Sequence, residues 1–293
     1  MVIYKLRDWI PIENLCFSNL SLNPNAIQIL EQNQDKIDWS FLSLNPNAIH
    51  LLENNLDKVN WDYLSSNSNA IRILEQNFKK IDWWSLSHNG NANHLIEKNL
   101  NKIFWRYLSS NPNAISILEK NLKNIDWFEL SKNPNAIHLL EKDLDKIHWR
   151  MLSMNPNAIQ LLEKNIDKID WHELSLNPNA IHLLEKNFDK IYWTYLSKNP
   201  NAIHILEKNI DKINWKDLTR NPNAISILEK NLDKLCDFCW NLLSENPSIF
   251  EYDYESMRRH FYETYGKELI ETLYNPKNFH KFGKDYWNID ENL

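Results

Sequence analysis

The side chains with the most chemical reach in this 293-residue chain occur in series, not in clusters. His50, His94, His138, His182 and His204 share one position in a recurring stretch. Imidazoles can bind a metal or move protons. A zinc ion, however, needs its ligands at about 2 Å, whereas stacked helices lie about 8–10 Å apart, so successive histidines cannot share one ion. They read as solvated helix positions. Glu31, Glu53, Glu75, Glu97, Glu119, Glu141, Glu163, Glu185, Glu207 and Glu229 recur likewise, nearly all with a lysine five residues on, as at Lys36, Lys58 and Lys80. Identical carboxylates spread along an array are not an acid/base pair, and they read as solvated groups or as ion pairs worth little singly.

Cys236 and Cys239 have CxxC spacing, but no second pair stands beside them to complete the four ligands of a structural zinc. Together with a distant Cys16 they are no disulfide framework, and two buried thiols are expected. No glycine-rich phosphate loop or nucleophile motif occurs. No catalytic residue, metal or cofactor is therefore expected, and the chain reads as a non-enzyme.

The elements that carry these series follow from the repeat. Asn23, Asn45, Asn67, Asn89, Asn111, Asn133, Asn155, Asn177, Asn199 and Asn221 open units 22 residues apart, and a weaker copy opens at Asn246 after 25. Such self-similarity marks a repeat array. Within a unit, Asn45 before Pro46 predicts a helix N-terminus, and Ala48, Ile49, Leu51 and Leu52 make one apolar helical face. Asn55 predicts a left-handed stop. Asn60, or Asp at Asp38, Asp82, Asp126 and Asp170, predicts the cap of a second, very short helix, possible in 3₁₀ form. Neither helix is long enough to persist alone, so stacking must stabilise them. Trp39, Trp61, Trp83, Trp105, Trp127, Trp149, Trp171, Trp193 and Trp215 are expected to run through the core as a ladder beside the Leu42 to Leu218 series. The expected fold is all-α: an elongated solenoid of short helix pairs, about 100 Å long at helix spacing, with no sheet. Residues 1–22 are expected to form an N-terminal capping half-repeat, residues 23–242 the repeats, and residues 243–293 a C-terminal helical cap around a helix from Tyr254 to Tyr274, with a basic docking element as the alternative for that segment.

The leader "LRDWIPIENL" followed by tandem "LSxNPNAIxLLExNxDKIxW" resembles repeat proteins that giant viruses of the mimivirus type encode in large numbers. The resemblance covers nearly the whole chain. It implies a viral protein acting inside an infected host cell, in the cytoplasm or with the virion. "LSxNPNAIxLLE" is also similar to the leucine-rich variant repeat, which implies a right-handed solenoid joining a 3₁₀ helix to an α-helix.

In such an array, positions that vary between units are free to meet a partner. They lie just after each Trp and just before each Asn. Aromatics and arginine, the types enriched at binding hot spots, fall there as Phe41, Tyr63, Trp84, Arg106, Tyr107, Phe128, Arg150 and Tyr195. These are the expected partner-binding residues, unless they only pad the short helices. The expected task is protein–protein interaction with a viral or host protein. Repeat-type nucleic-acid binding is the alternative, opposed by the net charge of −6. No stretch has the 18 or more apolar residues of a membrane span, and no membrane partner is expected.

Overall fold

The computed structural model describes residues 2–273. The chain falls into two compact units, Asp8–Ile249 and Met1–Arg7 with Phe250–Leu293. The larger holds the repeats.

Each repeat contributes two α-helices and, in most units, a 3₁₀ turn, as in Trp39–Leu44, Ile49–Glu53 and Gln34–Lys36. The Trp helix starts where its cap dictates. The Asp38 carboxylate accepts from the Phe41 N–H at 3.1 Å, and Asn60, Asp82, Asp126, Asp170 and Asn214 do the same in their units. It stops at Asn45, whose extended backbone precedes Pro46. Two local expectations are corrected. The helix after Trp is α, and the 3₁₀ geometry belongs to the turn before it. Nor does Asn55 stop the Ile helix in a left-handed conformation, since no described non-glycine residue has positive φ. Its side-chain amide instead donates to the Leu51 carbonyl at 2.9 Å, satisfying a terminal acceptor directly.

The core is a stack of small identical layers. Leu42, Ala48 and Leu52 are wholly buried, as are their counterparts from Leu20, Ala26 and Leu30 to Leu218, Ala224 and Leu228. Each buried leucine is worth about 1.5–3 kcal/mol relative to an exposed one. The Trp series is not part of that stack. Trp39 and its equivalents are half-buried, and on seven of these rings the ammonium group of a lysine 19 residues on lies over the ring face. Lys58 sits 4.6 Å from the Trp39 centroid, and Lys80, Lys102, Lys146, Lys168, Lys190 and Lys212 repeat the contact. The expected buried ladder is thus an aromatic shelf with cationic lids.

Polar bonds bind one unit to the next. The Ser43 hydroxyl donates to the Trp39 carbonyl and accepts from the Asn60 N–H of the following unit. The buried Asn45 donates both amide protons backward, to the carbonyls of Ser21 at 3.0 Å and Asn23 at 2.9 Å, while its Oδ1 accepts from the Asn47 N–H at 3.0 Å. It therefore does more than open a helix, which in fact starts at Ile49. Both its amide protons and its Oδ1 have partners although the side chain is buried.

This ladder has no end. Asn23 donates to the carbonyls of Ser244 and Asn246, both at 2.9 Å, and Asn246 in turn donates to Thr219 and Asn221. The other unit-to-unit bonds cross the same seam: the Cys16 N–H donates to the Ser244 hydroxyl, and the Asn25 amide to the Pro247 carbonyl. Eleven buried asparagines thus form a closed circuit, from Asn23 through Asn221 and Asn246 and back. The helix-pair repeat is present, but the elongated form expected for it is not: the first and last units of Asp8–Ile249 pair with each other. Cys16 and Asn19 take part in that joint, bonding to Ser244 and to the Asn241 carbonyl.

The smaller unit corrects the expectation of no sheet. Tyr4–Leu6 and Phe250–Tyr252 form an antiparallel pair in the register Tyr4↔Tyr252 and Leu6↔Phe250. Tyr4 stacks on Tyr252, and Glu251 holds Lys5 at 3.1 Å and Arg7 at 3.2 Å. Asp253 caps the helix Tyr254–Leu273 through the Ser256 N–H. Phe261 and Leu269 are exposed on this helix. Tyr274, Lys277, His280, Lys281 and Lys284 lie outside the described residues.

Candidate functional site

Trp helices of adjacent units pack side by side, whereas the Ile helices of adjacent units touch far less. In a closed ring the tighter layer has the smaller radius. The Trp helices therefore form the inner wall, and their variable face, opposite Leu42 and Ser43, turns toward the opening. Eleven helices at the usual spacing give about 30 Å between opposite axes and, inside the side chains, an opening of about 20 Å. All eight expected partner-binding residues lie on this wall.

Their arrangement divides it into two arcs. On the first, Phe41 stacks with Tyr63 at 6.5 Å. Tyr107 meets Trp84 edge-on at 4.7 Å, and His88 lies against both at 5.4 and 4.5 Å. Trp84 remains 45% exposed and Tyr63 38%, so neither ring is consumed by its neighbours. Loss of water around His88 lowers its pKa, opposed in part by its bond to the Trp84 carbonyl and by Glu129.

On the second arc the wall is charged, and sequence reasoning did not anticipate how it pairs. Glu129 is buried and takes Lys132 at 2.7 Å and Arg106 at 3.6 Å. Glu173 is buried and accepts from the Arg150 Nε and Nη2 at 3.0 and 2.9 Å. Asp217 pairs with Lys198 at 2.9 Å. Arg106 and Arg150 are thus held by carboxylates of the next unit and are not free cations. Phe128 meets His148 at 4.6 Å, and Tyr195 meets His172 at 6.3 Å and Tyr192 at 5.3 Å. The structure joins Phe41 to Tyr63 and Trp84 to Tyr107; Arg106, Phe128, Arg150 and Tyr195 find other partners.

The histidine series is exposed, but it is paired. His50, His94, His138, His182 and His204 each meet a glutamate of the preceding unit at 2.8–3.0 Å. Among the described residues no group of three or more His, Cys, Asp or Glu side chains is placed to hold a metal ion. The CxxC expectation is half corrected: Cys239 is buried, Cys236 exposed. A further row was missed. The residue opening each 3₁₀ turn is apolar and exposed at Phe78, Leu122, Leu144, Ile166, Phe188, Ile210 and Leu232. Its signal was an apolar residue directly after the asparagine or aspartate that follows the Ile helix, in most of these units just before Asp-Lys, which helical spacing alone leaves unassigned. Beside Leu122 lies a groove of about 540 Å³ lined by Trp127, Leu139 and Asp143. It sits where Asp143 replaces the asparagine that elsewhere closes the Ile helix.

No protein-family model, curated protein or solved structure matches the chain. No described helix is long and apolar enough to cross a membrane.

Proposed function

We propose that this protein is a non-enzymatic scaffold for protein–protein interaction, and that its inner wall takes a polypeptide segment of a partner. One observation carries this reading: Tyr63, Trp84, His88 and Tyr107 form a partly exposed aromatic surface that the core, complete in its leucines and alanines, does not use. Rigid aromatic rings already set by their neighbours lose little freedom on binding. The opening limits what can enter. A single α-helix is about 10–12 Å across with its side chains and fits, whereas a folded domain does not. In line with the sequence resemblance, the partner is a protein of a giant virus or of its host. Nucleic acid is disfavoured because Glu129, Glu173 and Asp217 on the same wall already take its cations.

The test is affinity capture with the tagged full-length chain, as wild type, as the triple variant Tyr63→Ser, Trp84→Ser, Tyr107→Ser, and as the outer-wall control His182→Ser. The reading expects a polypeptide recovered by wild type and control, lost by the triple variant and indifferent to nuclease. Equal recovery by all three moves the contact off the inner wall. Recovery abolished by nuclease replaces the partner with nucleic acid.

A further inference from the structure

The unit that opens at Asn221 is three residues longer than the rest, 25 against 22 before the next opens at Asn246. Counting back from Asn246, Trp240 and Ser244 stand where Trp215 and Thr219 stand before Asn221. The extra residues therefore fall before Trp240, and the helix Asp237–Leu243 begins a turn earlier than its Trp would set. That added turn carries two thiols. The sulfurs of Cys236 and Cys239 are 2.9 Å apart, Cys236 exposed and Cys239 only 2% exposed. One sulfur is open to an outside reagent; the other is shielded from it but within reach of the first.

The surroundings distinguish the two further. Hydrogen bonds from the Cys239 thiol and from the Cys239 and Phe238 N–H groups hold the Cys236 thiol below its ordinary range, whereas burial pushes Cys239 up. The thiolate is the attacking form, so the exposed sulfur is also the readier nucleophile. Lys216, with its ammonium 4.6 Å from the Phe238 ring, places a positive charge near Cys239.

We propose that Cys236 and Cys239 are a reversible dithiol–disulfide couple that exchanges with small-molecule disulfides of the glutathione type, Cys236 attacking and Cys239 resolving. The Cys236 thiolate attacks one sulfur of the external disulfide. A mixed disulfide forms, the external S–S bond breaks, and one external thiolate leaves. Cys239, losing its proton to solvent, then attacks the Cys236 sulfur, forming the internal disulfide and releasing the second external thiolate. Two electrons pass from the protein to the external disulfide, whose two thiolates take up the protons released, and the reverse sequence restores both thiols. The couple lies on the helix that closes the ring, to which Asn19 donates through the Asn241 carbonyl at 2.7 Å.

Full-length protein equilibrated in mixtures of reduced and oxidised glutathione, quenched in acid, alkylated with a maleimide and mapped by mass spectrometry tests this directly. The expected result is that Cys236 and Cys239 lose maleimide uptake together as the mixture becomes more oxidising, while Cys16 forms no bond to either. In Cys239→Ser a glutathione adduct persists on Cys236; in Cys236→Ser none forms on Cys239. The maleimide rate of wild-type Cys236, followed against pH, has a midpoint below the ordinary thiol value of about 8.5. Retention of both free thiols in every mixture, oxidation of one without the other, or an adduct on Cys239 instead of Cys236 overturns the proposal. The wild-type titration stands whether or not either variant folds.

Discussion

Asn23 donates an amide proton at 2.9 Å to the main-chain carbonyl of Asn246, the residue that holds its own position in the last unit. Every other asparagine in the series makes the same bond to the unit before it, so a single contact distinguishes a closed array from an open one. In an open array Asn23 would have no earlier unit to bond.

A substitution therefore reads out closure. Asn23→Ala should cost as much as Asn155→Ala inside the array, about 2 kcal/mol each, because each leaves buried carbonyls without their donors. Asn157→Ala, which loses one exposed bond to the Pro134 carbonyl, should cost less. Urea unfolding of the three variants compares them, and a near-neutral Asn23→Ala would count against the ring.

The lysine lids make a second prediction. Lys58→Met keeps an apolar stem over Trp39 but removes the charge, and should lower stability by about 0.5–1 kcal/mol. Trp105 is the natural comparison, since Asn124 stands where its lysine would be. Asn124→Lys should recover a similar amount, measured by thermal unfolding.

At Asp143 the sequence has given up a bond. Its carboxylate cannot donate to the Leu139 carbonyl as Asn209 donates to Ile205 at 2.8 Å, and it pairs instead with the exposed Lys146. Asp143→Asn should stabilise the chain by about 1 kcal/mol, the net worth of a hydrogen bond set against a weak ion pair. No gain in the unfolding midpoint would mean that the Lys146 pair is worth as much.

His88 predicts a pH effect of definite sign. Its folded pKa is lowered, so as pH falls the unfolded chain takes up the proton first, from about 6.5. Stability should decline as pH drops through that value toward the lower folded one, as protonation brings a charge between Trp84 and Tyr107. His88→Gln should flatten this part of the curve. Urea unfolding at pH 7.5 and 5.5 measures the difference, which the remaining histidines, common to both proteins, do not affect.

The sequence was most legible where one residue performs one local task. Asp38 announces a cap because its carboxylate reaches the N–H three residues on, and Leu42 announces core because every leucine in its series is apolar. It was least legible where a side chain serves two units at once. Asn45 satisfies a cap reading through Oδ1, and nothing in its spacing reveals that both amide protons cross to the preceding unit. The tryptophans misled for a similar reason: a periodic aromatic suggests burial, and its spacing alone does not reveal that most of these rings carry a lysine from 19 residues later on one face. Closure depends on the difference in spacing between the Trp and Ile layers, a quantity absent from any single unit. A hint was nonetheless present. Leu20, Ala26 and Leu30 are as apolar as their internal counterparts, with none of the polar replacements that an exposed first unit needs.

On the second arc of the wall, Arg150 and Glu173 illustrate what spacing could not supply. Each was visible as a variable residue 23 positions from the other, but a pairing across units emerges only when the helices stand side by side. Arginines on the variable strip read as contact residues; arranged around the wall, Arg106 and Arg150 are paired with carboxylates of the next unit.

A closed circuit also constrains inheritance. Tandem repeats gain and lose copies through unequal recombination, and an open array absorbs such changes at its ends. With eleven units sharing a full turn, each contributes a rotation of roughly 33°. A gene with one copy more or fewer would encode a chain whose Asn23 and Asn246 no longer meet, unless every remaining joint bent by a few degrees to compensate. Copy number in this protein is therefore part of the fold, and selection can be expected to hold it at a whole, fixed value while the residues facing the opening change.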